Sequence, residues 1–248
     1  MDAGARVRTS FLVPVYNRQD MLSDALNSIW RQTDADWECV IVDGASTDQT
    51  AKVAYAFADA DSRFKVVVEE ANTGALGGYI RCLEEARGTY GKFVYSDDTV
   101  YPAFLERTIP LMEEDTAFVF TTAAVGPQPD SVDFLMYQNN PLHFAASVFI
   151  ERMLRWDGSL PVSPGAGLFR LADLKKNQLS AEEAPHQLAG TDLLQYLWAA
   201  EEYPVVRCIH DPLVFFRLHP GSCTVMNGDA VAEGYAVTLQ WYQEGRRL

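Results

Sequence analysis

The chain has 248 residues and a formal net charge of −14, a size that suits one large α/β domain. No run approaches the ~18 apolar residues needed to cross a bilayer, so we expect no stable membrane insertion. The proline-broken start, residues 1–17, predicts a first strand rather than a signal peptide. The acidic balance disfavours nucleic acid as a partner, although a local basic groove stays compatible with it. Four cysteines without a CxxC pair indicate reduced thiols in a cytoplasmic protein.

The first hundred residues alternate short apolar runs with helical patterns. Strands are predicted at 9–16, 37–42, 63–70 and 90–96, with helices around 21–30, 49–60 and 75–87. Continuously apolar strands that alternate with helices are typical of a parallel sheet covered on both faces.

The second part of the chain is less regular. A helix at 102–113 should stop or kink at Pro110 because proline cannot continue the hydrogen-bond ladder. The remaining predictions are a strand at 116–125, helices near 143–155 and 190–201, a strand near 204–217 and a helix near 229–244. Residues 126–142 predict a long loop, and such loops are usually lids or binding loops. Without repeats or linkers, we expect one domain over 1–248 with two lobes, 1–125 and 126–248.

Polar residues follow each of the first four predicted strands. Asn17, Asp43, the Asn72–Gly74 turn and the Asp97–Asp98 pair occupy these positions. The carboxyl ends of parallel strands meet at one edge of the sheet, which is where open α/β sheets bind ligands. Four such clusters at one edge predict a ligand site there.

Several of these residues also have structural explanations. Asn17 would serve as the N-cap of the following helix. Ser46 and Gln49 match a capping box, so we assign Ser46 to structure. Asn72 and Gly74 fit turn chemistry equally well. A doubled carboxylate at this edge favours a divalent cation over a simple helix start, because magnesium and manganese prefer oxygen ligands.

Four motifs arrive in a familiar order: "VPVYN", "VDGASTDQT", "NTG" and "SDD". Together they resemble the family 2 inverting glycosyltransferases of the GT-A fold. The resemblance implies a Rossmann-like, mostly parallel central sheet with helices on both faces. It also implies a nucleotide-sugar-binding half at 1–125 and an acceptor-binding, catalytic half at 126–248.

The resemblance implies roles for the nucleotide-binding residues. Asp43 would contact the nucleobase, usually uracil, and Asp97 would face the ribose. Pro14, Tyr16 and Asn17 belong to the first motif and would complete the nucleotide site.

The same resemblance implies the metal site and the catalytic residue. Asp98 would bind Mn²⁺ or Mg²⁺ on the donor diphosphate, and His219 of "FRLHPGSCT" would complete the metal site. His143, His186 and His210 sit in no such motif and are left as structural. Asp192 of "GTDLLQYLW" would be the catalytic base; if Thr191 caps this helix, the dipole favours the ionised carboxylate.

A glycine-containing stretch, residues 160–170, also resembles the family segment that lies near the donor sugar and acceptor. Gly165 and Gly167 have no Cβ and would let a ligand approach the backbone closely.

The chain departs from the family pattern at three places. Ala45 replaces a second acidic residue after strand two, and Tyr95 stands at the first position of the D-x-D-D form. An arginine often follows the N-x-G turn, but Tyr79 stands there. Arg81 lies two residues further on and is not assigned to the site.

The resulting hypothesis is a metal-dependent inverting glycosyltransferase that uses a nucleotide-sugar donor, with a UDP-sugar as the preferred donor. Its acceptor would be a glycan or glycoconjugate, with a modified DNA base as an alternative. Two other classes stay open: a nucleotidyltransferase on a related sheet, and a non-catalytic nucleotide-sugar-binding module. The first would need a glycine-rich phosphate loop after strand one, and "VPVYNRQD" has no glycine. The sequence indicates neither the transferred sugar nor the oligomeric state.

Overall fold

A computed structural model of the protein describes residues 7–178, 183–184 and 189–245, without the side chains of Cys223 and Thr224. The described strands, in chain order, are β1 Thr9–Val15, β2 Trp37–Asp43, β3 Phe64–Val68, β4 Tyr90–Phe93, β5 Thr99–Val100, β6 Thr116–Gly126, β7 Phe134–Met136, β8 His143–Ala145, β9 Gly167–Arg170 and β10 Val205–Arg217. The described helices are α1 Leu22–Trp30, α2 Thr50–Ala60, α3 Gly74–Glu85, α4 Phe104–Thr108, α5 Ala146–Leu154, α6 Leu171–Lys176, α7 Leu193–Glu202, α8 Cys223–Met226 and α9 Gly228–Gly245.

One mixed sheet joins all the described strands in the order β3-β2-β1-β4-β9-β6-β10-β5, with β7 beside β6 and β8 beside β10. Neighbours are parallel from β3 to β4, and β6 is parallel to β10. Strand β9 is antiparallel to both β4 and β6. Six strands therefore run in one direction and have their carboxyl ends at one edge: β1, β2, β3, β4, β6 and β10. Strand β9 lies reversed among them, and β5, β7 and β8 are antiparallel to the strands with which they pair.

Helices cover both faces of this sheet. Every residue of β2 and β6 is buried, as is nearly every residue of β1. Successive side chains of a strand point to opposite faces, so uninterrupted burial requires cover on both sides. Helix α1 supplies part of that cover with Leu22, Ala25, Leu26 and Ile29, which form its buried stripe. The predicted α/β fold with a mostly parallel sheet is confirmed.

The start of α2 differs from the predicted capping box. The helix begins at Thr50, whose N–H donates to Asp48 Oδ1 at 2.8 Å. Ser46 Oγ instead accepts from the N–H of Asn17 at 2.9 Å. The capping prediction for Ser46 and Gln49 is wrong because a nearer carboxylate takes the free N–H, as Asx turns do.

Three strands of the second part escaped the sequence pattern. Strand β7 lies inside the predicted loop 126–142, and β8 replaces the start of the helix predicted at 143–155. Strand β9 lies in the glycine-rich stretch. Each has four residues or fewer, too short for a period to show. The helix predicted at 102–113 does end early, with a 3-10 turn at Ile109–Leu111 around Pro110.

Among the described helices, none is long and apolar enough to span a membrane. Cys39, Cys82 and Cys208 are buried free thiols.

Candidate active site

The loops after β1 and β2 are joined by side-chain hydrogen bonds at the carboxyl edge of the sheet. Asn17 Oδ1 accepts from the N–H of Thr47 at 2.9 Å, and the N–H of Gly44 donates to Val15 O at 2.9 Å. Asn17 has a φ of 49° and Ala45 a φ of 61°, both in the left-handed region. Asn17 does not cap α1, which begins at Leu22 without a side-chain cap. Its side chain instead holds the neighbouring loop, and its contact with a nucleotide stays a prediction.

Asp43 ends β2 with a fully buried side chain. Its Oδ1 accepts from the N–H of Ser46 at 2.9 Å. Its Oδ2 is buried and has no hydrogen-bond partner among the described residues. A buried acceptor without a donor is rare in native proteins and requires an explanation. The N3–H of a uracil base is the kind of donor that this oxygen lacks.

The predicted nucleotide residues near Asp43 differ in exposure. Tyr16 is 42% exposed, and its Cβ lies 4.0 Å from where a Cβ on Gly44 would stand. Its ring is therefore available to a ligand beside Asp43. Pro14 is partly buried within β1, and its Cβ lies 3.3 Å from the Cβ position of Gly78 on α3.

The carboxylates of Asp97 and Asp98 are both partly buried just beyond β4. His219 Nε2 lies 3.1 Å from Asp97 Oδ2, whereas Asp98 Oδ1 accepts from the N–H of Arg217 at 2.9 Å. Burial and the adjacent charge of Asp97 raise the pKa of Asp98 well above its usual value. Two carboxylates and an imidazole thus meet here, with the direct contact of His219 made to Asp97.

Two cations stand beside the carboxylate pair, and the sequence analysis assigned neither. Arg217 Nε donates to Asp97 O at 3.0 Å, and its Nη2 pairs with Asp24 Oδ2 at 2.8 Å. Lys92 is 1% exposed, and its Nζ donates to Gly165 O and lies 4.5 Å from the Phe104 ring centroid.

Burial lowers the pKa of Lys92 to about 7, although the charge of Asp98 opposes the shift. A lysine inside the apolar run "YGKFVY" was the available signal, because buried lysines are rare and need partners. Arg217 gave a weaker signal, two residues before His219 in the same motif.

Asp192 is the N-cap of α7. Its Oδ1 accepts from the N–H groups of Leu193 at 3.0 Å and Gly190 at 3.2 Å. The predicted Thr191 cap is therefore wrong. Burial raises the pKa of Asp192 to about 6, although these hydrogen bonds and one from Tyr235 oppose the shift. The predicted preference for the ionised form is reversed, because desolvation outweighs the helix N-terminus.

The charge of Asp192 reaches the same side chains as the charge of Asp98. After burial, the charge of Asp192 is the next cause of the raised pKa of Tyr95, and Asp98 acts in the same direction. The pKa of Tyr137 is raised by burial and by both carboxylates. The charges of Asp192 and Asp98 therefore both act on these two tyrosines.

Gly165 and Gly167 are both buried. A Cβ on Gly167 would stand 2.7 Å from the Phe169 ring and 2.9 Å from Tyr196 Oη. Packing alone requires glycine at 167. A Cβ on Gly165 would stand 3.2 Å from the Phe216 ring and 3.5 Å from the Tyr95 ring. Gly165 therefore borders the site and is held there by Lys92.

The other singled-out residues have structural partners. Asn72 Oδ1 accepts from the N–H of Gly74 at 2.8 Å, and Gly74 has a φ of 76°, so this motif is a turn. Arg81 pairs with glutamates on the surface. His210 Nε2 contacts Asn140 O at 2.7 Å, and His143 lies in β8. His186 lies outside the described residues.

The donor set at the carboxylate pair fits a hard divalent cation in part. Oxygen and imidazole ligands suit Mn²⁺ and Mg²⁺, and such ions are often held by one or two carboxylates plus substrate phosphates. The described residues contain no group of three or more His, Cys, Asp or Glu side chains arranged to hold a metal by themselves. Asp97, Asp98 and His219 would therefore bind an ion together with oxygen atoms of a diphosphate.

A sequence model of glycosyl transferase family 2 matches residues 10–175. The chain belongs to this family. The match covers β1 to α6 and includes Asp43 and the Asp97–Asp98 pair. Asp192 and His219 lie beyond it.

Two curated glycosyltransferases each match just under half of the chain. TuaG of Bacillus subtilis, named as a teichuronic acid biosynthesis glycosyltransferase, is 37% identical over 113 residues, which are 45% of this chain and 45% of TuaG. WfgD of Escherichia coli, a UDP-Glc:α-D-GlcNAc-diphosphoundecaprenol β-1,3-glucosyltransferase, is 34% identical over 103 residues, 42% of this chain and 40% of WfgD. The chain thus spans less than half the length of these relatives.

Solved structures share the fold over most of the chain. The 1–349 fragment of S. aureus TarS in complex with UDP-GlcNAc superposes with a TM-score of 0.69 and 22% identity, covering 87% of this chain and 60% of that fragment. PcManGT, a mannosyltransferase from Pyrobaculum calidifontis in complex with GDP-Man and Mn²⁺, superposes with a TM-score of 0.61 and 17% identity, covering 90% of this chain and 60% of that chain. At these identities the comparison shows the GT-A fold of the family 2 chain.

Proposed function

We propose that this family 2 chain is a metal-dependent inverting glycosyltransferase with a nucleotide-sugar donor, and that its preferred donor is a UDP-sugar. The observation that carries the proposal is the position of Asp192, a partly buried carboxylate whose pKa is raised to about 6. A general base works best when its pKa lies near the operating pH. The charge of Asp192 acts on Tyr95 and Tyr137, and so does the charge of Asp98, which belongs to the carboxylate pair that would bind the diphosphate.

Each end of the donor has residues suited to it. Asp43 Oδ2 would accept from the nucleobase, and the exposed Tyr16 ring would lie beside it. Asp97, Asp98 and His219 would hold a divalent ion on the diphosphate. The ion, when bound, supplies Lewis-acid neutralisation of the charge on the departing nucleoside diphosphate.

The chemical step then rests on Asp192. The carboxylate would take the proton from an acceptor hydroxyl while the oxygen attacks the anomeric carbon from the face opposite the diphosphate. One displacement forms the new glycosidic bond, breaks the sugar–phosphate bond and inverts the anomeric centre. Lys92 would hold Gly165 and its turn against this site.

The acceptor is proposed as a hydroxyl of a glycan or glycoconjugate. WfgD, by its name, acts on a diphosphoundecaprenol-linked sugar, and TuaG is named for teichuronic acid biosynthesis. Both names describe carbohydrate acceptors or products, which supports this class. The proposed place of action is the cytoplasm, where nucleotide sugars are available.

The test is turnover of UDP-GlcNAc and UDP-glucose with Mn²⁺, read as release of UDP with and without a panel of glycan acceptors. We expect release by the wild type, loss in Asp98→Ala with the fold retained, and a β-linked product from an α-linked donor. Full activity of Asp98→Ala would contradict the metal assignment. Donor binding without any turnover would instead indicate a binding module.

A further inference from the structure

The hydroxyl group of Tyr79 is buried without a partner. Tyr79 lies on α3 and is 8% exposed, and its Oη has no hydrogen-bond partner among the described residues. A buried hydroxyl normally donates or accepts at least one hydrogen bond, and leaving it unpaired lowers the stability of the fold. A phenylalanine would fill the same space without this cost.

The Tyr79 ring is held firmly in place. It stacks on Phe93 with ring centroids 4.1 Å apart and an angle of 8° between the planes. Phe93 is the last residue of β4, the strand that leads to the carboxylate pair. Because the ring is stacked, its hydroxyl is fixed in direction and cannot turn towards a distant partner.

Tyr79 belongs to a group of five tyrosines, which we call the tyrosine cluster, that interact electrostatically or by a hydrogen bond with Asp192. Its members are Tyr79, Tyr95, Tyr137, Tyr196 and Tyr235. The Tyr196 hydroxyl donates to Ser163 O at 2.9 Å, and Tyr235 hydrogen-bonds Asp192. The stack continues from Phe93 to the Tyr95 ring, with centroids 6.5 Å apart, and the Tyr95 ring lies 3.5 Å from the Cβ position of Gly165, which borders the site. Burial and the charge of Asp192 also raise the pKa of Tyr79.

The stacked rings of Tyr79, Phe93 and Tyr95 lead from α3 to the turn at Gly165, beside the path that the proposed reaction requires. In the proposed reaction the transferred sugar must reach from the diphosphate, at Asp97 and Asp98, to the base at Asp192. Tyr95 and Tyr137 are influenced by the charges at both ends of that path. A phenol is neutral and suits a sugar hydroxyl, whereas diphosphate recognition favours cationic donors.

We infer that the Tyr79 hydroxyl forms a hydrogen bond with a hydroxyl group of the transferred sugar and thereby selects the donor. This inference rests on the proposed function. A site built to hydrogen-bond a substrate hydroxyl rejects the analogue that lacks it far more strongly than an apolar pocket does. Tyr79 is thus a specificity residue for the sugar, while Asp43 reads the base.

The test compares nucleotide sugars with the free nucleotide. Titration calorimetry with Mn²⁺ would measure Kd for UDP-GlcNAc, UDP-glucose and UDP with the wild type and with Tyr79→Phe. The variant keeps the ring on Phe93 and removes the hydroxyl alone. We expect its Kd for UDP to stay within about twofold of the wild-type value. Its Kd for the UDP-sugar that the wild type binds should rise about 5- to 10-fold, which corresponds to the loss of one hydrogen bond.

Tyr203→Phe is the matched control. Tyr203 follows the far end of α7, and its hydroxyl contacts Asp173 Oδ1 at 3.4 Å. The same chemical change there should leave every Kd unchanged. Unfolding by denaturant should show Tyr79→Phe at least as stable as the wild type, which separates a binding effect from a folding defect.

Each outcome decides between the readings. An unchanged Kd for UDP-sugars in Tyr79→Phe would overturn the inference, since the hydroxyl would then be idle. Equal weakening of UDP and UDP-sugar would also overturn it, because Tyr79 would then read the nucleotide. A wild type that binds neither UDP nor any UDP-sugar would overturn the proposed function itself and this inference with it. Among deoxy-sugar donors, the analogue that lacks the hydroxyl bound by Tyr79 should bind to the wild type and to Tyr79→Phe with the same Kd.

Discussion

His219 Nε2 lies 3.1 Å from Asp97 Oδ2, although the two residues are 122 positions apart in the sequence. The contact joins the loop after β10 to the loop after β4 at the carboxyl edge of the sheet. An imidazole that approaches a carboxylate in this way can share a divalent ion with it once a diphosphate brings the remaining oxygen ligands.

The first prediction concerns this metal site. UDP with Mn²⁺ at ~100-fold over Kd should stabilise the wild type by about 2.7 kcal/mol, and EDTA should remove the effect. In His219→Ala we expect about a tenfold rise in Kd, and hence a smaller shift in Tm at the same ligand concentration. His143→Ala changes an exposed histidine of β8 and is the control. An unaltered Tm shift in His219→Ala would exclude His219 as a ligand.

Asp192→Asn tests the base. Asparagine Oδ1 can still accept from the N–H groups of Leu193 and Gly190, so the helix start is kept. Transfer should fall by about 10²- to 10⁴-fold, the usual contribution of general base catalysis. In the wild type, kcat/KM should decline as pH falls below about 6, where Asp192 takes up its proton.

The same substitution has a pH-dependent effect on stability. The pKa of Asp192 is raised on folding, so its contribution to stability is present at low pH and lost as pH rises through about 6. Asp192→Asn should therefore be more stable than the wild type at pH 7 to 8, and the difference should shrink as pH falls below 6. Urea unfolding at several pH values measures it. A difference independent of pH would contradict the raised pKa.

Asp43→Asn should change the preferred base. The free Oδ2 acceptor would become an NH₂ donor, while Oδ1 keeps its bond from Ser46. Uracil presents N3–H, which would face this new donor, whereas cytosine presents an N3 acceptor. We expect UDP binding to weaken at least about tenfold and CDP binding to improve relative to it. Parallel loss of both nucleotides would show that Asp43 does not contact the base edge.

Lys92→Met tests the buried lysine. The pKa of Lys92 falls on folding from 10.5 to about 7, so the wild type gains stability as pH rises between these values. The variant lacks this gain. Its stability relative to the wild type should therefore be most favourable near pH 7 and decrease steadily towards pH 10. Lys175→Met is a control, because Lys175 is only partly buried and its Nζ donates to Ala86 O. Parallel pH curves for Lys92→Met and the wild type would contradict a buried, destabilised cation.

The sequence predicted the first half of the fold well because its strands are long and continuously apolar. Strands β1 and β2 and helices α1 and α2 lie within two residues of their predicted bounds. Strands β7, β8 and β9 were missed because three or four residues carry no readable period. Their pairing depends on β6 and β10, which are distant in the chain.

The candidate site was predicted in its carboxylates but not in its cations. Asp43, Asp97 and Asp98 follow strands, and that position can be read from a sequence. The neighbours Lys92 and Arg217 depend on which strands lie side by side, and β4 meets β9 only through tertiary pairing. The raised pKa of Asp192 also escaped the sequence, since desolvation is a property of the packed site.

The Arg217 contacts determine when the site can form. Arg217 reaches back 193 positions to Asp24 and also hydrogen-bonds the loop at Asp97 and Asp98. Contacts of such high sequence separation form late, and chains generally fold from the N-terminus during synthesis. A nascent chain that has not yet emerged as far as β10 would carry both carboxylates but lack Arg217 and His219. Under the proposed function, the metal site is complete only once β10 has docked, so we expect a polypeptide truncated before β10 to lose metal-dependent donor binding.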